Sequence, residues 1–222
     1  MKEKLEHNLN SKSEVRDHET AITESLGNAN CLLSSLQQMQ HFLNYMSGSV
    51  SNDLRGFLLE DEIDYILEGL AVNLQPEETL KYCHDDRLPD LVAGEVNQLR
   101  LFLNILVEFG IKQSKNVELR TTHLGVEQTD RNITKIGFVL TIDALQQYEA
   151  LMLQVLNTKS TLIKRFLLCK DFIDDLGFGM IILPDVIQAL NGSLGCKTVA
   201  GQFKISVVVP LMQMQEETMG PI

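Results

Sequence analysis

Apolar residues recur at helical spacing across residues 13–47, where no proline interrupts the chain. Ile22, Leu26, Ala29, Leu33, Leu36, Leu43 and Met46 step by four and three, with a polar Gln40 in the seam and Met39 beside it. A seam of this kind packs against one partner helix, in another copy of the chain or elsewhere in the same one. "SGSVSND", Ser47 to Asp53, is a small polar break and predicts a boundary. A second helix is predicted over about residues 58–73, with Leu59, Ile63, Ile66, Leu67 and Leu70 on one face. "ETLKYC" then predicts a short strand. "LPDLVAGEVNQLRLFLNILVEFGIKQS" reads as a proline turn leading into a long helix whose buried stripe is Val96, Leu99, Leu103, Leu106 and Gly110.

The pattern changes period after that helix. "NVELRTTHL" and "KIGFVLTID" alternate as strands of a half-buried sheet. "ALQQYEALMLQVL" predicts a helix, and "IKRFLLCKDFIDDL" is ambiguous between periods. In "DLGFGMIILPDVIQALNGSLG" a glycine turn opens an apolar helix, and "SLGCKT" and "FKISVVVP" follow as a closing hairpin. The expected sheet therefore contains strands near residues 117–122, 135–142, 193–197 and 203–209, with helices near 95–112 and 181–190 packed on one face. This is an α+β, two-layer sandwich with a mixed, mostly antiparallel sheet, preceded by a long N-terminal helix. The predicted organisation is a helical segment over residues 1–50, the α+β domain over 51–214, and a mobile tail over 215–222.

Composition narrows the function classes. A hydrophobic content of 44% in 222 residues suffices for a sizeable core. The net charge is −11, from 19 basic and 30 acidic residues, so no basic stripe awaits nucleic acid or an anionic membrane surface. Cys31, Cys83, Cys169 and Cys196 lie far apart with no C-x-x-C pair, which predicts reduced thiols rather than a disulfide framework or structural zinc. Pro184 and Asp185 interrupt the longest apolar run, and the N-terminus has no apolar core for a signal peptide. A soluble, cytoplasmic protein is expected. No G-x-S-x-G, H-E-x-x-H or G-x-x-x-x-G-K-[ST] motif is present, and the Asp61-Glu62 and Asp85-Asp86 pairs read as solvated surface.

Three blocks carry a more specific signal. In the long-helix segment, Leu88, Pro89, Val92, Gly94, Leu99, Leu103, Leu106 and Lys112 fit L-P-x-x-V-x-G-D-x-x-R-L-x-Q-x-L-x-N-L-L-x-N-A-x-K-F-T without a gap. Glu95, Gly110 and Ser114 stand where that pattern has Asp, Ala and Thr. "GFVLTID" is a strand ending on Asp143, and "GFGM", "LNGSL" and "VVVPL" follow the order of a glycine turn, helix and hairpin. From Leu88 to Leu211 these blocks resemble the ATP-binding domain of sensor histidine kinases, in the GHKL superfamily that includes gyrase. "LLSSLQQMQHFLNYM" is similar to the second helix of the kinase dimerisation hairpin, making residues 1–50 a residual dimerisation segment.

The resemblance implies a magnesium-bound ATP held by oxygen donors on the long helix and by glycine-rich turns. The family's two asparagines fall on Ile105 and Phe109, which cannot ligate magnesium. A one-residue shift would bring Asn104 and Glu108 into those slots, but it breaks the matches at Gly110, Lys112 and Ser114. Asp143 stands where the family's adenine-reading aspartate would be, and also where a strand-end acid caps a helix. The family's D-x-G-x-G becomes "DALQQ", with Leu145 and Gln147 in the glycine positions. Gly177 and Gly179 retain the last glycine turn, ahead of a helix whose amides can face an anion or simply complete a tight turn. The phosphoacceptor motif is missing: His18-Glu19 begins it, but "HETAIT" has no proline, and too little chain separates His18 from "LLSSLQQMQHFLNYM" for a first hairpin helix.

The expected function is a catalytically impaired, histidine-kinase-like signalling or scaffold domain. It would have no cofactor and no catalytic residue, and would act as a homodimer or heterodimer through the N-terminal helix. A true histidine kinase or a response regulator is the partner class the resemblance implies. The alternative is a divergent ATP- and magnesium-dependent kinase domain phosphorylating a histidine in trans, with Asn104 and Glu108 facing the nucleotide.

Overall fold

The computed structural model describes residues 36, 39, 40, 43, 54–72, 74–127, 132–143, 149–157 and 161–214. The chain divides into two compact units, Met1–Ser49 and Val50–Ile222. In the first, Leu36, Met39, Gln40 and Leu43 are helical and exposed. The other seam positions (22, 26, 29, 33 and 46), His18, and the tail over 215–222 lie outside the described residues.

The second unit contains one seven-stranded sheet. Its strands are β1 (Leu54–Leu58), β2 (Thr79–His84), β3 (Leu91–Glu95), β4 (Asn116–Glu127), β5 (Ile133–Asp143), β6 (Ser193–Val199) and β7 (Gln202–Gln213). The spatial order is β1-β3-β7-β5-β4-β2, with β6 also paired to β7. The β2–β4 pair is parallel and every other pair is antiparallel. Its helices are α1 (Leu59–Ala71), α2 (Val96–Gln113), α3 (Glu149–Asn157), α4 (Leu162–Cys169), α5 (Ile173–Leu176) and α6 (Gly179–Ala189).

Period-two alternation fixes which face of the sheet is covered. On β7, Phe203, Ile205, Val207, Val209 and Leu211 are buried, and the residues between them are half-buried. On β5, Ile136, Phe138, Leu140 and Ile142 point the same way, so both central strands present one apolar face. Helix α2 lies on that face through the predicted stripe of Leu99, Leu103 and Leu106, each at most 1% exposed. Full burial of one such side chain stabilises by about 1.5–3 kcal/mol. Gly110 completes the stripe: a Cβ there would sit 2.9 Å from Val117 Cγ1 and 3.2 Å from Leu140 Cδ1. Phe102 meets Phe138 edge-on, with ring centroids 5.1 Å apart.

All four strands expected from alternation join this sheet, and the predicted long and C-terminal helices pack against it. Two strands were not expected. Leu54–Leu58 follows the polar break as β1, and Leu91–Glu95, read as the lead-in to the long helix, is β3. These two pair with each other, Leu58 opposite Leu91 and Leu54 opposite Glu95. A five-residue segment is too short to establish a period, and only its pairing partner makes it a strand. The ambiguous segment resolves into α4 and the single turn α5.

Candidate functional site

Helix α2 has three working directions. Its sheet face is set by Leu99, Leu103, Leu106 and Gly110. Arg100 and Asn104 border a cleft against α1. At about 100° per residue, Ile105 and Phe109 then point to the flank away from α1. That flank is closed: Ile105 is 3% and Phe109 2% exposed, and Gln98, on the same flank, is 7% exposed. Helix α6 packs against α2 as well.

The positions bearing the metal ligands in the ungapped correspondence are thus occupied by apolar, buried side chains. A hard cation needs oxygen donors, and neither residue supplies one. The pair does not fit a magnesium-bound nucleotide. Asn104 and Glu108 are half-buried, and along the helix Asn104 stands about 100° and Glu108 about 60° from Ile105, on the side away from Phe109. Asn104 lines the α1 cleft, and Glu108 lies about 40° further round the helix.

Asp143, at the exposed end of β5, is bound into a local network with Ser114. Ser114 Oγ lies 2.9 Å from Asp143 Oδ2, and the same oxygen accepts the backbone N–H groups of Asn116 (3.2 Å) and Asp143 (3.3 Å). This hydroxyl therefore ties the C-terminal end of α2 to the ends of β4 and β5. Gln113 Nε2 donates to the Asp175 carbonyl at 2.6 Å, linking the same helix end to α5. Leu145, Gln147 and any capping by Asp143 of the segment after it lie outside the described residues.

The glycine turn holds its shape for a backbone reason. Gly177 has φ +80° and ψ 141°, a conformation strained for any residue with a side chain. Gly179 is the first residue of α6 and is buried. Amides in this region already donate within the turn: Gly177 N to Ile173 O (2.8 Å), Met180 N to Gly177 O (3.3 Å) and Ile181 N to Phe178 O (3.1 Å). A helix N-terminus attracts anions through amides that have no partner. Here α5 runs into α6 across the turn, and those three amides are engaged.

A residue with no motif of its own holds the cover in place. Arg165, on α4, is 2% exposed. Its Nε donates to the Ile181 carbonyl at 2.8 Å, and Nη2 pairs with Asp185 Oδ2. Pro184 lies inside α6 and has no N–H to give to the Met180 carbonyl. Arg165 binds the next carbonyl, that of Ile181, so α4 is pinned to α6 by a buried charge with both a carbonyl and a carboxylate partner. Cys169, at the end of α4, is buried with it. Desolvation pushes its thiol above the ordinary range, with the Arg165 charge acting the other way. The contacts of Arg165, Asp185 and Ser114 are not visible in the sequence, because each partner is 16 or more residues away apart from the Ser114–Asn116 bonds.

A scan against protein-family models gives no match, and neither does a search of curated proteins. Solved structures do match. Full-length ShkA in complex with AMPPNP superposes with a TM-score of 0.59 at 15% identity, over 82% of this chain and 36% of that one. The Acinetobacter baumannii histidine kinase AdeS superposes with a TM-score of 0.54 at 10% identity, over 86% of this chain and 82% of that one. The present chain thus spans about a third of the length of ShkA. Its fold is that of a histidine kinase catalytic (ATPase) domain. No helix among the described residues is long and apolar enough to cross a membrane.

Proposed function

We propose that this chain is a histidine-kinase-like signalling domain that has lost nucleotide binding and acts by associating with other proteins. The observation that carries this reading is the pair Ile105 and Phe109, buried and apolar where the fold's metal-binding helix would need oxygen donors. The engaged amides of the Gly177 turn and the Arg165 pin on α6 support it. Association is assigned to the N-terminal helix, where Leu36, Met39 and Leu43 are each about half exposed and recur on one side. The resulting homodimer or heterodimer would engage a kinase or response regulator of the same signalling class.

Isothermal calorimetry with ATP, with and without magnesium, tests the central statement. Micromolar affinity corresponds to about 8 kcal/mol. A few helix-end amide interactions at about 0.3–1 kcal/mol each do not reach it. No magnesium-dependent heat is expected. A micromolar, magnesium-dependent affinity would overturn the proposal in favour of an active kinase domain.

A further inference from the structure

The cleft between α1 and α2 faces away from the closed flank and belongs to no feature considered so far. It has a volume of about 530 Å³. Its walls are apolar, formed by Tyr65, Ile66, Leu70 and Val72 around Gly69, with Asn104 on the opposite side. Tyr65 is 69% and Val72 83% exposed, so large apolar surface stands in water at its mouth.

Gly69 is the unexpected element. It sits inside α1, where glycine is a poor helix former, and its φ is not in the left-handed region. A Cβ built on it meets nothing within 4 Å. No packing contact in the folded chain calls for a glycine there, whereas any side chain at this position would project into the cleft and fill it.

The electrostatics around the cleft point one way. Helix α1 carries Glu60, Asp61, Glu62, Asp64 and Glu68 and no basic residue. Arg100, the cation at the cleft, is held by both carboxylate oxygens of Glu62 (2.6 and 2.8 Å) and lies over the Tyr65 ring at 5.6 Å. Its charge is thereby offset. Glu68 lines the cleft, Asp61 lies two turns before it on the same face of the helix, and both are exposed and form no ion pair among the described residues.

We infer that the α1–α2 cleft docks a basic amphipathic helix of a partner protein. An apolar anchor would enter over Gly69, and its Lys or Arg residues would lie against Glu68 and, two turns away on the same face of α1, Asp61. A groove between two helices accommodates a third, with apolar anchors one turn apart entering it and charged neighbours fixing the register.

The test uses the full chain and a labelled helical peptide of about 15 residues. The peptide is built from Ala and Lys with Leu residues one turn apart, and a Glu-for-Lys version serves as control. Fluorescence anisotropy should show binding of the basic peptide and none of the acidic one. Gly69→Leu leaves net charge unchanged and should weaken binding by about tenfold or more, the loss of one buried anchor. Glu68→Lys should weaken it too, and the salt dependence should fall. Replacing a helix-interior glycine favours folding, so Gly69→Leu should melt at or above the temperature of the unmutated chain. Tyr65→Ala, on the other wall, provides a second variant. Equal binding by the unmutated chain and by Gly69→Leu and Tyr65→Ala would reduce the effect to bulk charge and overturn the inference, as would no binding of the basic peptide. Concentration-dependent self-association abolished by Gly69→Leu would make a second copy the occupant and overturn the foreign partner.

Discussion

The two flanks of α2 differ in what they bury and what they leave open. Away from α1, Ile105 and Phe109 are sealed; elsewhere in the cover three amides of the Gly177 turn are engaged and Arg165 fixes α4 across α6. Towards α1, Arg100 and Asn104 border a wide cleft with a bare glycine in its wall and the exposed Glu68 at its rim. One side of the same helix is thus built into the core, while the other leaves surface open where the core does not need the residues.

That contrast can be broken by placing polarity into each flank. Ile105→Asn removes an apolar side chain that is 3% exposed and leaves a buried amide without partners. It should lower unfolding free energy by about 3–5 kcal/mol, measured by urea denaturation, and should not create magnesium-dependent ATP affinity. A stable Ile105→Asn variant would show that the closed flank is plastic. Asp185→Ala strips the carboxylate from a buried arginine and should cost about 3 kcal/mol, with faster hydrogen exchange in residues 162–169. If exchange there is unchanged, Arg165 does not pin α4. Asn104→Ala, on the open flank, should change stability by less than about 0.5 kcal/mol. A loss comparable to that of Ile105→Asn would mean that the two flanks are equally built into the core.

The layers of this fold were legible in the sequence because long, regular patterns specify them. β5 and β7 alternate over most of 11 and 12 residues, β4 over its first six, and the α2 stripe runs through most of an 18-residue helix. β1 and β3 escaped because five residues such as "LVAGE" show no period, and their strand character comes from pairing with each other. That Ile105 and Phe109 share a side of α2 was also legible, since helical spacing alone places them four residues apart. What the turn amides bond to was not legible. Nor was the burial of Arg165, whose partners, the Ile181 carbonyl and Asp185, lie on a different helix. Ser114 and Asp143 meet across 29 residues, at the ends of two elements whose lengths set the contact. Gly69 read as an ordinary helix position, because the meaning of a missing side chain depends on the empty space beside it.

β7 is the last strand described in the chain and yet lies inside the sheet, between β3 and β5 and also beside β6. A ribosome releasing this domain therefore delivers β1 to β6 before the strand that joins them. Until residue 213 has emerged, β3 and β5 expose unpaired edges and the β6 partner is absent. Long-range closure of this kind slows folding, and open edges recruit other chains. Nascent chains arrested before residue 202 should accordingly be held by chaperones or aggregate, and the domain should become protease-resistant in one late step of synthesis.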